Sequence, residues 1–230
     1  MGIRTELDTI PSLSLGASDV SLLELVSAYG TVVNDGVAIE PVLVTRIEDK
    51  DGKVIYEKEP EETQAIPYES AYLMQQMLRG GLTCPGGTSQ ALWRFKIFDK
   101  GTEFGGKTGT SSNHSDAWFV GVSPNLVGGA WVGGEYRSIH FRTGELGQGS
   151  RTALPVFGYF MEKVLADKHL AKEYVARFPS PKEKIERSWD CNTYLPHYSD
   201  SDSLNILPGD SLLTGDEDLD LERLEQILEN

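Results

Sequence analysis

The sequence of 230 residues lacks any long hydrophobic segment. No stretch approaches the roughly 18 consecutive apolar residues that a membrane-spanning helix needs, and no apolar signal segment follows Met1-Gly-Ile-Arg4. We therefore expect no membrane segment in this chain. If the parent protein is exported or anchored, another part of its sequence must do this.

Basic side chains are also scarce, since the chain has 21 Lys and Arg residues against 35 Asp and Glu residues. The formal net charge is therefore −14 at pH 7. This negative charge opposes binding to nucleic-acid phosphates and to anionic membrane surfaces, so we expect neither as a partner. The excess is concentrated in residues 196–230, which hold ten acidic residues and a single basic one, Arg223. The rest of the chain is only mildly acidic.

Cysteine is nearly absent, because Cys84 and Cys191 are the only two. They form no CxxC pair, and no histidine lies near them at the spacing of metal ligands. The two cysteines decide neither the redox compartment nor a metal site, and we expect no metal and no cofactor. We expect both thiols to be unpaired, because Cys191 lies in a polar region that nothing places close to Cys84.

Helical and strand patterns fill the chain up to residue 168. Apolar side chains at helical spacing, with capping signals, predict helices at about 21–30, 68–79 and 150–166. Alternating patterns predict a hairpin over 42–58, an apolar run predicts a strand at 93–98, and β-type runs bounded by turn residues predict strands at 107–110, 116–122 and 127–133. These elements indicate a mixed α+β fold, an antiparallel sheet with helices on its faces. Glycines within the last strand predict that the 150–166 helix packs closely across it.

The pattern weakens after residue 168, so we divide the chain into a folded part, 1–168, and an acidic, weakly ordered tail, 169–230. A capping box at Thr214-Gly-Asp-Glu217 precedes apolar residues at helical spacing, which indicates a short amphipathic helix at the C-terminus. Such a tail usually solubilises a protein, and docking to a partner is the alternative.

The segment from Gly101 to Thr108 matches the phosphate-binding pattern GxxxxGK[ST]. That pattern binds nucleotide phosphates only when a helix begins at its Lys-Thr end. Here residues 109–115 are poor helix formers and lead into a strand. Asp116 also begins that strand, whereas a magnesium ligand would end one. Nucleotide binding is therefore the weaker interpretation.

The stronger interpretation places Lys107-Thr-Gly-Thr110 on an exposed strand beside an acyl-transfer site. The Lys107 ammonium can attract a substrate carboxylate, and the hydroxyls of Thr108 and Thr110 can donate hydrogen bonds to it. Gly109 has no Cβ to obstruct a peptide lying along the strand. The backbone N–H of Thr110 can stabilise a developing oxyanion.

Over about residues 1–167 the chain resembles the C-terminal half of the transpeptidase domain of class A penicillin-binding proteins. The segments that carry the resemblance are Leu13-Ser-Leu-Gly-Ala17, Ser27-Ala-Tyr29, Asn34-Asp-Gly-Val37, Asp51-Gly52, Gly105-Gly-Lys-Thr-Gly-Thr110, Asp116-Ala-Trp-Phe-Val-Gly121 and Trp131-Val-Gly133. The resemblance implies part of a fold shared with β-lactamases. It also implies an extracytoplasmic enzyme, anchored through parent sequence, whose serine attacks stem peptides ending in D-Ala-D-Ala and is acylated by β-lactams.

By the same resemblance, Lys107, Thr108 and Thr110 bind the terminal carboxylate, with Gly109 between them in the site. The family also uses a Ser-x-x-Lys that carries the nucleophile and base, and no serine here has lysine at the third following position. Two Ser-x-Asn triplets, Ser111–Asn113 and Ser203–Asn205, lie in the wrong places. We therefore expect a fragment that needs the N-terminal half of the domain and is inactive alone. The alternative is a non-catalytic interaction or regulatory module.

Several conspicuous side chains have plainer interpretations. His114 lies in a polar loop without a metal-ligand or catalytic partner, so we expect it to be solvent-exposed and without function. Trp118, Phe119 and Trp131 alternate along adjacent strands, a pattern more typical of a core than of a ligand platform.

Overall fold

The computed structural model describes residues 1–188. Its helices are α1 Leu22–Val33, α2 Tyr68–Thr83, α3 Gly144–Gly147, α4 Ala153–Ala166 and α5 Leu170–Tyr174, with 3-10 helices at Pro11–Leu15 and Gln90–Arg94. Its strands are β1 Val37–Ile39, β2 Arg46–Glu48, β3 Val54–Glu57, β4 Glu62–Gln64, β5 Gly105–Thr110, β6 Asp116–Ser123 and β7 Leu126–Gly133.

The main sheet is antiparallel, has the order β5-β6-β7 and lies at the centre of the folded part. Two small pairs, β1 with β4 and β2 with β3, stand apart from it. Every residue of β6 after Trp118 is buried. The predicted α+β class, with an antiparallel sheet and helices on its faces, is confirmed.

Glycines let helices approach both faces of this sheet. Gly121 and Gly128 are paired across β6 and β7, and a Cβ on either would lie 2.4 or 3.1 Å from the ring of Phe157 in α4. A Cβ on Gly129, which points to the opposite face, would lie 2.5 Å from Val26 of α1. The predicted packing of a helix across the glycines of the last strand is thus present, and a second helix covers the other face.

The hydrophobic core lies between the sheet, α4 and the segment that follows α2. Its buried members are Leu82, Leu92, Phe95, Ile97, Phe104, Phe119, Ala130, Ala153, Leu154, Phe157, Met161, Val164 and Leu165. The helix α1 begins with the predicted capping box, in which the side chains of Ser21 and Glu24 each bond the other residue's backbone N–H.

The prediction of a strand at 93–98 is wrong. The segment is the end of a 3-10 helix followed by turns, and its alternate apolar residues Phe95 and Ile97 are inserted into the core. Phe95 packs so closely on α4 that a Cβ at Gly158 would lie 2.5 Å from its ring. Alternation here reflects two anchoring side chains, and no strand among residues 1–188 pairs with the segment.

The packed part of the chain continues past residue 168, where the sequence analysis placed a boundary. Phe178 is buried, and its backbone N–H donates to Glu103 at 2.9 Å. Further along, the N–H of Glu186 donates to Glu69 of α2 at 2.9 Å. The predicted C-terminal helix and Cys191 lie outside the described residues. Cys84 is a free, exposed thiol.

Candidate functional site

The site strand β5 begins inside the protein and ends at its surface. Gly105 and Gly106 are buried, whereas Lys107 and Thr110 are exposed. A Cβ on Gly105 would lie 2.9 Å from the backbone of Leu78 in α2, so the helix itself packs on the strand. The buried start holds the strand in place while the Lys-Thr-Gly-Thr part reaches solvent.

Strand β5 pairs with β6 on one side, and its other edge has no strand partner in the part of the chain that the structure describes. The carbonyl of Gly106 faces this open edge, because it accepts a hydrogen bond from the Ser89 hydroxyl at 2.9 Å. Backbone groups alternate in direction along a strand, so those of Thr108 and Thr110 face the same edge. The Lys107 ammonium donates to the Thr108 carbonyl at 2.7 Å, which brings its charge to the edge as well.

Both threonine hydroxyls are held by neighbouring loops. The Thr108 hydroxyl donates to the hydroxyl of Thr88 at 2.8 Å. The backbone N–H of Gly149 donates to the Thr110 hydroxyl at 3.1 Å. Gly149 crosses so close to β5 that a Cβ would lie 2.5 Å from the Gly109 carbonyl oxygen. The four residues predicted for the site thus share one strand, and three residues that were not predicted, Thr88, Ser89 and Gly149, contact it.

The turn after β5 is closed by a network of polar side chains. The N–H of Ser111 donates to the carbonyl of Asp116 at 3.0 Å, and the Ser111 hydroxyl accepts from the N–H of Asp116 at 2.8 Å. Burial alone would raise the pKa of Asp116, but hydrogen bonds from Ser115, Trp131 and Ser111 outweigh it and the pKa lies below its usual value. Asn113, the other end of the Ser-x-Asn triplet, accepts from Ser115 at 2.8 Å. The Asn113 amide also donates to the carbonyl of Arg137 at 3.2 Å, so the triplet's polar groups bond within the turn and to the segment after β7.

The expectation that His114 is solvent-exposed is wrong. The side chain is half-buried, and its Nδ1 is shielded from solvent without a hydrogen-bond partner. The residue has a φ of 59°, and the short helix α3 packs against it, since a Cβ at Gly147 would lie 2.5 Å from the His114 Cβ. This burial comes from α3, which begins 30 residues further along the chain, so no local pattern near His114 indicates it.

The aromatic residues of the sheet are only partly in the core. Phe119 is completely buried, as predicted, but Trp118 is half-buried and Trp131 is 41% exposed. The indole N–H of Trp131 donates to Asp116 at 3.1 Å, so this ring covers the polar turn from outside.

Thr88, Ser89 and Gly149 contact the site strand and were missed in the sequence. Their only local signals are glycines, in Gly86-Gly87 before Thr88 and in Gly147-Gln-Gly149. Those glycines marked loops, but nothing in the sequence indicated that the loops meet β5.

The structure also bears on the alternative chemistries. Residues 105–110 form a strand, so the helix start that a phosphate-binding loop requires is absent at Lys107-Thr108. Within residues 1–188, no cluster of His, Cys, Asp and Glu side chains could hold a metal ion. No helix in the same part is long and apolar enough to cross a membrane.

Relatives with known sequences share most of this chain. Residues 8–133 match the family model of the penicillin binding protein transpeptidase domain. The chain is 32% identical over 199 residues to penicillin-binding protein 1A of Aquifex aeolicus, an alignment that covers 83% of the chain and 26% of that protein. It is 32% identical to the Rickettsia conorii protein of the same name, over 73% of the chain and 23% of that protein. The chain thus spans about a quarter of the length of these relatives.

Solved structures show the same fold. Penicillin-binding protein 1A from Haemophilus influenzae superposes with a TM-score of 0.62 at 26% identity, covering 76% of this chain and 30% of that one. PonA1 from Mycobacterium tuberculosis has the same TM-score at 22% identity, covering 77% of this chain and 45% of that one. The match covers only part of each structure, as the prediction of a partial domain requires. The chain belongs to the penicillin-binding protein transpeptidase family, of the class A type.

Proposed function

We propose that this chain is the part of a serine D,D-transpeptidase that holds the carboxylate end of peptidoglycan stem peptides. The observation that supports the proposal best is the grouping of the Lys107 ammonium with the hydroxyls of Thr108 and Thr110 at the open edge of β5. A fixed positive charge and two hydroxyl donors suit a carboxylate, which offers two acceptor oxygens. The substrate would be a stem peptide ending in D-Ala-D-Ala.

The open edge also suits an extended substrate. A peptide can add to an exposed strand through main-chain hydrogen bonds, and Gly109 leaves room for it beside the strand. The N–H of Thr110 faces the same edge, so it can donate to the oxyanion that forms when a nucleophile attacks the scissile carbonyl. β-Lactams would occupy this position in place of the peptide. The structurally similar PonA1 has been solved in complex with penicillin V, which supports β-lactam binding as such.

The nucleophile and base would come from outside these 230 residues. Acyl transfer of this type needs a serine activated by an adjacent base, and no serine in the chain has the Ser-x-x-Lys partner. We propose that the upstream half of the domain supplies both and that the complete protein works on the extracytoplasmic side of the membrane, anchored by its other parts. The isolated chain would be inactive.

Labelling with a fluorescent penicillin tests the proposal. The isolated chain should not label, whereas the complete protein, or this chain recombined with the upstream half, should label at one serine. In that context Lys107→Ala should slow acylation on the order of a hundredfold, because it removes the charge that attracts the β-lactam carboxylate. Lys53→Ala, which removes an exposed lysine of the β2–β3 hairpin, is the matched control and should have no effect.

Two results would contradict the proposal. Robust labelling of the isolated chain at a serine would show that it contains its own nucleophile. Normal acylation of the complete Lys107→Ala protein would remove the role assigned to this lysine.

The missing Ser-x-x-Lys also favours a second candidate, a non-catalytic interaction or regulatory module that keeps the sheet without the nucleophile. The reading frame upstream of these residues distinguishes the two. A Ser-x-x-Lys encoded there supports the enzyme, and its absence supports the module.

A further inference from the structure

The rim segment, residues 134–152, joins β7 to α4 and has a net positive charge, whereas the whole chain has a formal net charge of −14. Its charged residues are three arginines and two acids, Arg137, Arg142, Arg151, Glu135 and Glu145. Arg137 forms an ion pair with Asp19. Arg142 and Arg151 are exposed, and neither side chain has an ion pair or a hydrogen bond with another of residues 1–188. Two guanidinium groups of an acidic chain are thus left without a partner in the described part.

The rim segment meets the exposed end of the site strand at two points. The N–H of Gly149 donates to the Thr110 hydroxyl at 3.1 Å, and Arg151 follows two residues later. The N–H of Phe141 donates at 3.3 Å to a carbonyl in the turn after β5, and Arg142 is the next residue. Consecutive Cα atoms are only about 3.8 Å apart, so both arginines begin close to the place where the strand enters its turn.

A substrate held as in the proposed function would extend toward this place. Its terminal carboxylate lies beside Lys107, and the oxygen of its scissile carbonyl lies at the N–H of Thr110. The peptide therefore runs antiparallel to β5, and the residues before the scissile bond lie past Thr110. An extended chain advances about 3.3 Å per residue, so the residue that precedes D-Ala-D-Ala comes beside the rim segment.

We propose that Arg142 and Arg151 are specificity-determining residues, which bind a second carboxylate on the side chain of the residue that precedes D-Ala-D-Ala. A guanidinium group suits this task, because it can donate two parallel hydrogen bonds to one carboxylate. Both groups have all their donors free for a ligand within the described part of the chain. Resting on the proposed function, this inference deepens it by naming a chemical feature of the preferred substrate.

The test uses two synthetic peptides that end in D-Ala-D-Ala. They differ only in the preceding residue, whose side chain carries a free carboxylate in one peptide and the neutral carboxamide in the other. The rate of D-alanine release by the complete protein that contains this chain gives kcat/KM for each. We expect the acid to be the better substrate. The double variant Arg142→Gln, Arg151→Gln should lower kcat/KM for the acid about tenfold, because two exposed charge-assisted contacts are lost, and should change that for the amide less than about twofold.

Single variants of Arg151 show whether charge is the cause. Arg151→Lys keeps the positive charge and should keep most of the preference for the acid. Arg151→Glu places a negative charge in the same position and should make the amide the better substrate, because like charges repel. Arg46→Gln is the matched control, since it removes an exposed arginine of the β2–β3 hairpin and should leave the ratio of the two kcat/KM values unchanged.

The outcomes separate this inference from the proposed function. The inference is wrong if the unsubstituted protein does not prefer the acid, or if the double variant leaves the ratio unchanged. Equal slowing of both peptides would mean that the rim segment has only a structural role, which also contradicts the inference. In each of these cases the proposed function stands if Lys107→Ala slows both peptides. If Lys107→Ala has no effect, or if the complete protein neither labels with penicillin nor releases D-alanine, the proposed function fails and the inference fails with it.

Discussion

The β5-β6-β7 sheet and the β2–β3 hairpin are both antiparallel, and both join strands through short turns, yet their surroundings are opposite. Strand β6 is almost entirely buried, whereas all seven residues of β2 and β3 are exposed. Helices cover both faces of the sheet, whereas the hairpin's apolar side chains remain exposed, Ile55 by 67%. The sequence predicts strands in both places, but contacts with other elements decide whether a strand carries the core.

Glycine has a different task in each region. In the hairpin, Gly52 has a φ of 81° and serves the turn. In the sheet, Gly121 lies opposite Gly128 and makes room for Phe157. The comparison teaches that a glycine inside a strand marks a close contact with another element, whereas a glycine between strands marks a change of chain direction.

The largest effect should come from the aromatic ring that fills the space above the sheet glycines. Phe157 is 3% exposed and contacts Phe119 and Phe104. Phe157→Ala should lower the free energy of unfolding by about 3–5 kcal/mol, because it leaves a cavity lined by glycines that cannot fill it. Ile55→Ala in the hairpin should cost less than about 0.5 kcal/mol. Urea denaturation of the chain measures both, and equal losses would show that the hairpin packs on something after all.

A smaller effect should follow from removing the buried hydrogen bond between Ser89, in the loop after α2, and the open edge of β5. Ser89→Ala leaves the carbonyl of Gly106 without its donor and should cost about 1–3 kcal/mol. Thr83→Ala is the control, since this threonine is exposed and its hydroxyl stays within α2, and it should cost less than about 0.5 kcal/mol. The same denaturation experiment checks both. A neutral Ser89→Ala would mean that the loop is held by its glycines alone.

The smallest effect concerns the N-terminal segment, which lies on the surface like the hairpin but is held by hydrogen bonds to one carboxylate. Glu24 accepts from the Thr5 hydroxyl at 2.7 Å and from the N–H groups of Arg4 and Ser21, and these bonds lower its pKa from 4.5 to about 2. A lowered pKa stabilises the fold above pH 4.5, and this contribution is lost as the pH falls towards about 2. Glu24→Gln should therefore lower Tm at neutral pH, and the difference from the unsubstituted chain should shrink across that range.

Thr5→Val is the companion variant, because it removes the largest of these contributions and should reproduce part of the loss at neutral pH. A Tm difference that stays constant from neutral pH down to about pH 2 would contradict the assigned cause.

Much of the candidate site could be predicted because its signals are local. The run from Lys107 to Thr110 and the strands that follow are short β-type segments separated by turn residues. The 93–98 segment shows where the same rule fails, since Phe95 and Ile97 alternate because they anchor in the core. Alternation reports which side chains point the same way, and it does not report whether a neighbouring strand exists.

The sequence by itself determined the type and order of the main elements, the residues of the site strand, and a series of segments specific enough to identify the family. Only the tertiary structure decided that Thr88, Ser89 and Gly149 contact the site strand and that His114 is covered. These contacts join residues such as Ser89 and Gly106, or Thr110 and Gly149, that are far apart along the chain. Each depends on a single glycine or hydroxyl brought close by the packing of helices, so it leaves no periodic pattern in the sequence.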